Sequence, residues 1–173
     1  AFTRRSFLQS TASAALGFAI PAGWQDAVPA SAVRIQLIRN ATCRIRYGGR
    51  TLLLDPFLSD AGSIPAFNNS PNPRPNPLVP LPVPAAQLVT GIDATLVTHT
   101  HVDHWDTVAR DLIPKGGPLF GQPADIARLT QAGFTDVRPI DAAVSWEGIA
   151  ITRTGGQHGR GDVGKRMGAV SSS

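Results

Sequence analysis

The stretch Thr98-His99-Thr100-His101-Val102-Asp103-His104 places three of the four histidines of the chain within six consecutive residues. It follows the run Ala94-Thr95-Leu96-Val97-Thr98, whose length and β-branched content predict a buried strand. In open α/β sheets, ligands bind in the loops that follow the carboxyl ends of such strands. The segment therefore predicts both an α/β fold class and the place of the functional site.

The spacing of these histidines favours a metal site. If the chain stays extended through His99 and His101, their imidazoles point to the same side. A helix starting at Asp103 would then present Asp103 and His104 from its first turn. Zn²⁺ accepts such nitrogen and oxygen ligands, and a site that keeps an open position is catalytic. We expect one or two zinc ions, with manganese or iron as alternatives. A chance histidine-rich loop is the competing interpretation.

Two further residues are candidates for the same site. His158 lies in the glycine-rich segment Gly155-Gly156-Gln157-His158-Gly159, where the backbone can bend close to an ion. Alone it would be interpreted as a surface histidine, but beside the first motif we predict a ligand. Asp55 ends the apolar run Leu52–Leu54 and is a candidate hydrogen-bond partner of a ligating imidazole. An Asp-Pro turn without such a role is an equal alternative.

The remaining elements predict an alternation of strands and helices. Strands at Val33–Leu37, Thr42–Tyr47 and Arg50–Leu54 predict an antiparallel meander, turning at Gly48-Gly49. The first strand alternates so that one face should be buried, formed by Val33, Ile35 and Leu37. Downstream we expect helices at Asp103–Ile113 and Ala124–Ala132, the second ended by Gly133, and strands at Pro118–Phe120, Val137–Ile140 and Gly148–Thr154.

Residues 64–84 hold many of the 15 prolines of the chain, which excludes helices and central strands there. This segment is expected to be an extended loop, serving either as a spacer or as a cover over substrate.

The composition narrows the class of protein. A chain of 173 residues, 42% hydrophobic and 16% charged, suits one globular domain. The net charge of +4 comes without a dense basic tract, so nucleic-acid binding is not expected. No apolar run reaches the roughly 18–20 residues of a membrane span. Cys43 is the single cysteine, so no disulfide can form within the chain, and its strand position favours a core role over ligation.

Residues 1–32 resemble an export signal. Arg4 and Arg5 precede a short, weakly apolar stretch, and Ala30-Ser31-Ala32 offers a signal-peptidase site. The paired arginines with Phe7 and Leu8 resemble the twin-arginine motif. We expect a periplasmic protein with no stable membrane anchor after signal removal, formed by residues 33–173. An ordinary N-terminal helix is the alternative.

The motif His99-Thr-His101-Val-Asp103-His104, with His158 after Gly155-Gly156, resembles the signature of the metallo-β-lactamase superfamily. Its lactonase-like metal-dependent hydrolase branch is the most similar, which includes ascorbate-6-phosphate lactonase-like proteins and N-acyl phosphatidylethanolamine phosphodiesterases. The resemblance implies an αββα sandwich with a dinuclear centre. His99, His101 and His158 would hold one ion, Asp103 and His104 the other, and Asp103 would serve as the catalytic acid-base group.

The resemblance also predicts an incomplete domain. The superfamily uses a later bridging aspartate and a last histidine, and no histidine follows His158. We therefore expect the N-terminal half of the sandwich and the start of the second half. Half a sandwich would expose an inner sheet face, through which oligomers can form.

Three functions follow as hypotheses. The first is a hydrolase using a metal-activated water on an ester, lactone, amide or phosphodiester bond of a small-molecule substrate. The second is a non-catalytic or redox metal-binding relative on the same fold. The third is an inactive truncated fragment.

Overall fold

The computed structural model describes residues 32–66, 71–168 and 170–172. The export signal predicted within residues 1–32 falls, except for Ala32, outside the described residues. Within those described ranges, no helix has the length and apolar character needed to cross a bilayer.

A six-stranded mixed sheet organises the molecule. β1 (Arg34–Arg39), β2 (Thr42–Tyr47) and β3 (Arg50–Leu54) form the predicted antiparallel meander. β4 (Ala94–Val97), β5 (Leu119–Gly121) and β6 (Val137–Pro139) then add in parallel, in the order β1-β2-β3-β4-β5-β6. The parallel strands β3, β4 and β5 therefore end at one edge of the sheet, where loops can converge.

Short helices and two hairpins complete the fold. The helices are α1 (Ala85–Leu88), α2 (Thr107–Leu112), α3 (Ile126–Gln131) after a 3₁₀ turn (Pro123–Asp125), and α4 (Gly161–Met167). The hairpins pair β7 (Ala143–Trp146) with β8 (Ile149–Thr152), and β9 (Thr154–Gly156) with β10 (Val170–Ser172). The sequence analysis did not predict α1, β7, β9, α4 or β10. The structure is thus mixed α/β, one helix-covered sheet with a smaller hairpin opposite.

Each face of the sheet has its own core. Val97 and Leu119 face the helices and pack with Leu88, Ala109 and Leu129. The neighbouring residues in the same strands, Leu96 and Phe120, lie on the opposite face of the sheet because side chains alternate in a strand. They pack against the β7–β8 hairpin through Trp146, Ile149 and Ile151. Both faces of β4 are buried, which explains why three of its four residues are apolar.

The predicted buried face of the first strand is wrong. Val33, Ile35 and Leu37 are the exposed side, with Ile35 and Leu37 65% and 67% accessible, whereas Arg34 and Gln36 are half-buried. The hairpin that covers this face of the sheet packs on β3, β4 and β5 and leaves β1 at the edge uncovered. Alternation showed that the strand has an apolar face, but not whether any described element covers it.

The helix predicted at Asp103–Ile113 is shorter than expected. α2 begins at Thr107 because the side chain of Asp106 accepts a hydrogen bond from the Ala109 amide and caps the helix. Asp103 and His104 therefore lie in a turn before the helix, not in its first turn.

The helix predicted at Ala124–Ala132 begins as the 3₁₀ turn Pro123–Asp125 and continues as α3. Gly133 ends it with φ of +92°, a conformation that favours glycine. In the described part of residues 64–84, the chain forms no helix or strand before Pro84, apart from the isolated bridge between Ile64 and Asn76.

Candidate metal centre

Two neighbouring parallel strands deliver the candidate residues to one edge of the sheet. Asp55 follows β3 directly, and residues 98–104 follow β4. The Asp55 amide donates to the carbonyl of Leu96 at 2.9 Å, which extends the pairing of the two strands by one residue. The strand ends thus place the Asp55 carboxylate beneath the histidine segment.

Asp55 is buried and accepts hydrogen bonds from that segment. Its Oδ1 accepts from the Thr98 amide at 2.7 Å, and Oδ2 from the Thr98 hydroxyl at 2.8 Å. Oδ2 also lies 2.8 Å from Nδ1 of His104. The residue has φ of +43°, a region that aspartate tolerates better than most side chains. Of the two interpretations of Asp55, the geometry favours the partner of an imidazole.

These contacts determine which ring nitrogens carry hydrogen. A carboxylate only accepts, so His104 donates from Nδ1, and in the neutral imidazole the lone pair is on Nε2. The Thr98 hydroxyl gives its hydrogen to Asp55 and therefore accepts from Nδ1 of His99, 3.0 Å away. His99 likewise keeps its lone pair on Nε2. One carboxylate thus orients two imidazoles, directly and through a hydroxyl.

His99, His101 and His158 come together as a group able to hold an ion. Each offers a ring nitrogen, and these nitrogens lie within 4.8 Å of one another. Nε2 of His158 lies 3.1 Å from Nε2 of His99. Nitrogens bound to a tetrahedral zinc ion at 2.0–2.1 Å are about 3.3–3.4 Å apart, so this pair has nearly that separation.

His158 reaches the group from the turn between β9 and α4. Gly159 follows it with φ of +100°, and a side chain there would place its Cβ only 2.8 Å from Cγ1 of Val163. The glycine therefore allows the chain to turn sharply from His158 into α4. The ring of His158 stacks on that of His101, with centroids 5.1 Å apart.

Electrostatics keep His99 in the form that a metal requires. Burial, followed by the neighbouring imidazoles of His104 and His101, lowers the pKa of His99 to about 4, although Asp55 opposes this. His99 is therefore neutral at pH 7 with Nε2 unprotonated, as a ligand must be. The lone pair of the buried His99, facing the partly buried imidazoles of His101 and His158, is the observation on which the fit to a divalent cation rests.

Asp103 and His104 form a second pair beside this group. Oδ2 of Asp103 lies 3.9 Å from Nε2 of His104, the nitrogen that keeps its lone pair. The ring of His104 lies 4.0 Å from that of His99. Burial would lower the pKa of His104, but the hydrogen bond to Asp55 and the charges of Asp55 and Asp103 together raise it. The pair could hold a cation only with His104 in its neutral form.

An open cleft of about 460 Å³ lies over the cluster, lined by His101, Val102, Asp103, His158, Arg166 and Met167. The last residue of α4 closes one side, because the Met167 carbonyl accepts from Nε2 of His101 at 2.8 Å. In this arrangement Nδ1 of His101 holds the lone pair. Nε2 can serve as the ligand atom only when the Met167 carbonyl moves away.

Sequence reasoning missed the residues that support the site from outside. Oδ2 of Asp106 accepts from the amides of Leu58 and Ser59 at 2.9 and 2.7 Å, which holds the chain just after Asp55. The guanidinium of Arg39 donates to the carbonyls of Phe57 and Ser59. An aspartate just before an apolar helical pattern signals an N-cap, so the capping role of Asp106 was accessible from sequence. Its link to Ser59 was not.

Two further residues lie near the site without lining the cleft. Trp105, directly after the motif, is buried against Phe134 in the helix-side core, with ring centroids 5.6 Å apart. Cys43 is a half-buried free thiol in β2. Burial and the nearby Asp55 raise the pKa of that thiol, which leaves it in the unreactive form.

The chain is similar to a bacterial protein and to several solved structures. The UPF0173 protein YddR of Bacillus subtilis (strain 168) is 37% identical over 132 residues, 75% of this chain and 52% of YddR. A crystal structure of a possible metal-dependent hydrolase from Veillonella parvula DSM 2008 matches with 36% identity and a TM-score of 0.75, covering 79% of this chain and 55% of that one. No family model matches.

Two further structures share the fold. The isothiocyanate hydrolase from Delia radicum gut bacteria has 34% identity and a TM-score of 0.72, covering 79% of this chain and 56% of that one. Igni18, a metallo hydrolase from Ignicoccus hospitalis KIN4/I, has 18% identity and a TM-score of 0.51, covering 80% and 53%.

This chain spans about half the length of the relatives that it matches. Over that length, sequence and fold make it a homologue of the UPF0173 protein YddR and a structural relative of metal-dependent hydrolases.

Proposed function

We propose that the chain carries the metal ligands of a metal-dependent hydrolase that acts on a small-molecule substrate. The convergence of His99, His101 and His158 on one point, with His99 neutral, is the observation that carries this proposal. The two structural relatives above 30% identity support it, since their descriptions name hydrolysis.

The three histidines are proposed to hold one zinc ion, and Asp103 with His104 a second. When bound, such an ion lowers the pKa of a coordinated water and polarises the electrophile. Zinc binds well to such nitrogen and oxygen ligands. Manganese and iron accept the same ligands and are the alternatives.

Side chains of the protein are proposed to orient the water, accept its proton and neutralise charge on the substrate. Asp103 lines the cleft, and its partly exposed carboxylate is in place to orient the attacking water and to accept its proton. Asp55 holds His104 and Thr98 in the orientation that these roles require. Arg166 also lines the cleft, and its positive charge would neutralise negative charge that develops on the substrate.

The proposed substrate carries an electrophilic carbon or phosphorus in an ester, lactone, amide or phosphodiester. The relative described as an isothiocyanate hydrolase adds the isothiocyanate carbon to this set. All are attacked by water without a redox partner, so one site chemistry serves the whole set.

The test loads the chelator-treated protein with zinc, manganese or iron(II) and measures hydrolysis of an aryl isothiocyanate, a lactone, an aryl ester and a phosphodiester. We expect metal-dependent turnover of one class, lost with EDTA and lost in Asp103→Asn. Asp111→Asn, an exposed carboxylate paired with Arg110, is the matched control and should retain the rate. Turnover that survives EDTA would contradict the proposal, as would zinc binding without turnover of any member of the panel.

We also propose that the protein is exported through the twin-arginine route. Arg4 and Arg5 before a weakly apolar stretch support this. Residues 1–32 fused to a folded fluorescent reporter should direct it to the periplasm, and Arg4→Lys with Arg5→Lys should retain it in the cytoplasm. Unchanged distribution in the double variant would contradict the proposed route.

A further inference from the structure

Asp125 lies outside every motif that the sequence singled out, 25 positions from Thr100, yet its carboxylate contacts the middle of the histidine segment. Oδ2 accepts from the Thr100 amide at 3.0 Å, and Oδ1 from the Thr100 hydroxyl at 2.8 Å. Thr100 is the residue between His99 and His101, and it is buried. Both of its donors are therefore committed to one carboxylate.

Two neighbouring side chains hold the Asp125 carboxylate and Thr100 in place. The buried side chain of Gln122 donates to Oδ2 of Asp125 at 2.7 Å. Nη1 of Arg128 donates to the carbonyl and the hydroxyl of Thr100, at 3.3 and 3.2 Å. The backbone and side chain of Thr100 thus make four hydrogen bonds to residues of the β5–α3 region.

The side chain of Asp125 is directed to Thr100 and not to its own helix. Asp125 is the last residue of the 3₁₀ turn Pro123–Asp125, and its backbone is already helical, with φ of −102° and ψ of −7°. Its side chain makes no capping hydrogen bond to α3. Both carboxylate oxygens accept from Thr100 instead.

We infer that Asp125 is a positioning residue for the metal ligands. It holds Thr100 so that the imidazoles on either side, His99 and His101, face the same point. This rests on the proposed function, because the ligands have a reason to be held only if an ion binds there. Partners one step beyond the ligands commonly change metal affinity by about 10–100-fold when replaced.

The experiment compares Asp125→Ser and Asp125→Asn with the native chain. Serine is smaller and polar, so Asp125→Ser introduces no steric clash, but its side chain is too short to hold Thr100. Zinc affinity is measured by competition with a chromophoric chelator, and the ligand geometry by the visible absorption of the Co²⁺ form. We expect both variants to bind zinc about 10–100-fold more weakly, with an altered Co²⁺ spectrum.

Two further variants separate positioning from general stability. Asp136→Asn removes a carboxylate that accepts two hydrogen bonds from Arg138, so it is the matched control and should bind zinc as the native chain does. Thr100→Ser keeps both donors and should retain native affinity, whereas Thr100→Val loses the hydroxyl and should weaken it. Native zinc affinity and Co²⁺ spectrum in both Asp125 variants would overturn the inference.

A measurement on the metal-free protein tests the positioning role of Asp125 independently of the proposed function. In the apoprotein, hydrogen exchange of the Thr100 amide should quicken about tenfold or more in Asp125→Ser, because a buried hydrogen bond is lost. If the native chain binds neither zinc nor Co²⁺, the proposed function fails. The positional part of the inference is then decided by this exchange rate, and an unchanged rate would overturn it.

Discussion

Replacement of Asp55 by asparagine tests how this buried carboxylate orients the imidazoles of His104 and His99. Asparagine has the same shape and tolerates the φ of +43°, so the backbone should keep its course. Its carbonyl can still accept from the Thr98 amide. The NH₂ group, however, replaces the oxygen that lies 2.8 Å from both the Thr98 hydroxyl and Nδ1 of His104.

The consequence is a change of tautomer. Facing a donor instead of an acceptor, Nδ1 of His104 must lose its hydrogen, which moves to Nε2. The Thr98 hydroxyl must then accept from the amide, and its support of His99 changes as well. Nε2 of His104 is no longer free to hold a cation, so the second ion should be affected more than the first.

The magnitude follows from the bonds that change. Three charge-assisted hydrogen bonds become neutral ones, and two of them reverse direction, at a cost of about 1–3 kcal/mol in the free energy of unfolding. Asp55→Ala leaves the buried Thr98 amide without an acceptor and should cost about 3 kcal/mol. Zinc affinity in Asp55→Asn should fall about 10–100-fold.

The assays are guanidinium unfolding of the apoprotein, zinc titration with elemental analysis, and NMR of the His104 ring nitrogens, with Asp136→Asn as control. We expect reduced stability, reduced zinc stoichiometry and hydrogen on Nε2 of His104. Native stability together with the native tautomer in Asp55→Asn would refute this reasoning.

Two further predictions, each with a control variant, follow from burial and backbone geometry. Leu129→Ala should lower the free energy of unfolding by about 2–5 kcal/mol in denaturant titration, because Leu129 is fully buried. The same change at Leu37, which is 67% exposed, should remain within about 0.5 kcal/mol, and equal costs at both sites would contradict the described packing. Gly159→Ala should weaken zinc affinity about tenfold in the chelator assay, since φ of +100° and the contact with Val163 both oppose a side chain. Gly49→Ala, also at positive φ but with open space around it, is its control and should leave zinc affinity unchanged.

Some features could be predicted because their signals are local. The apolar run before Thr98 determined the strand β4, and the histidine spacing determined that His99 and His101 lie on one side. Gly133 marked the end of α3. Each depends on a backbone periodicity or a conformational preference that neighbouring residues carry by themselves.

Other features could not be predicted, because they depend on which strands, hairpins and loops contact each other in the fold. Alternation in β1 identified its apolar side, but coverage of that side depends on the reach of the β7–β8 hairpin. The two interpretations of Asp55 remained equal until the parallel pairing of β3 and β4 placed its carboxylate under Thr98 and His104. Asp125 carried no sequence signal, since its partner Thr100 lies on another strand end.

The sequence by itself thus determined the residue types of the centre and the strand that presents them, because side-chain chemistry and backbone period are local properties. Only the tertiary structure decided which ring nitrogen of each histidine is free, which carboxylates hold them and how His158 arrives. Hydrogen-bond direction depends on partners tens of residues away, and the fold alone brings those partners within 3 Å.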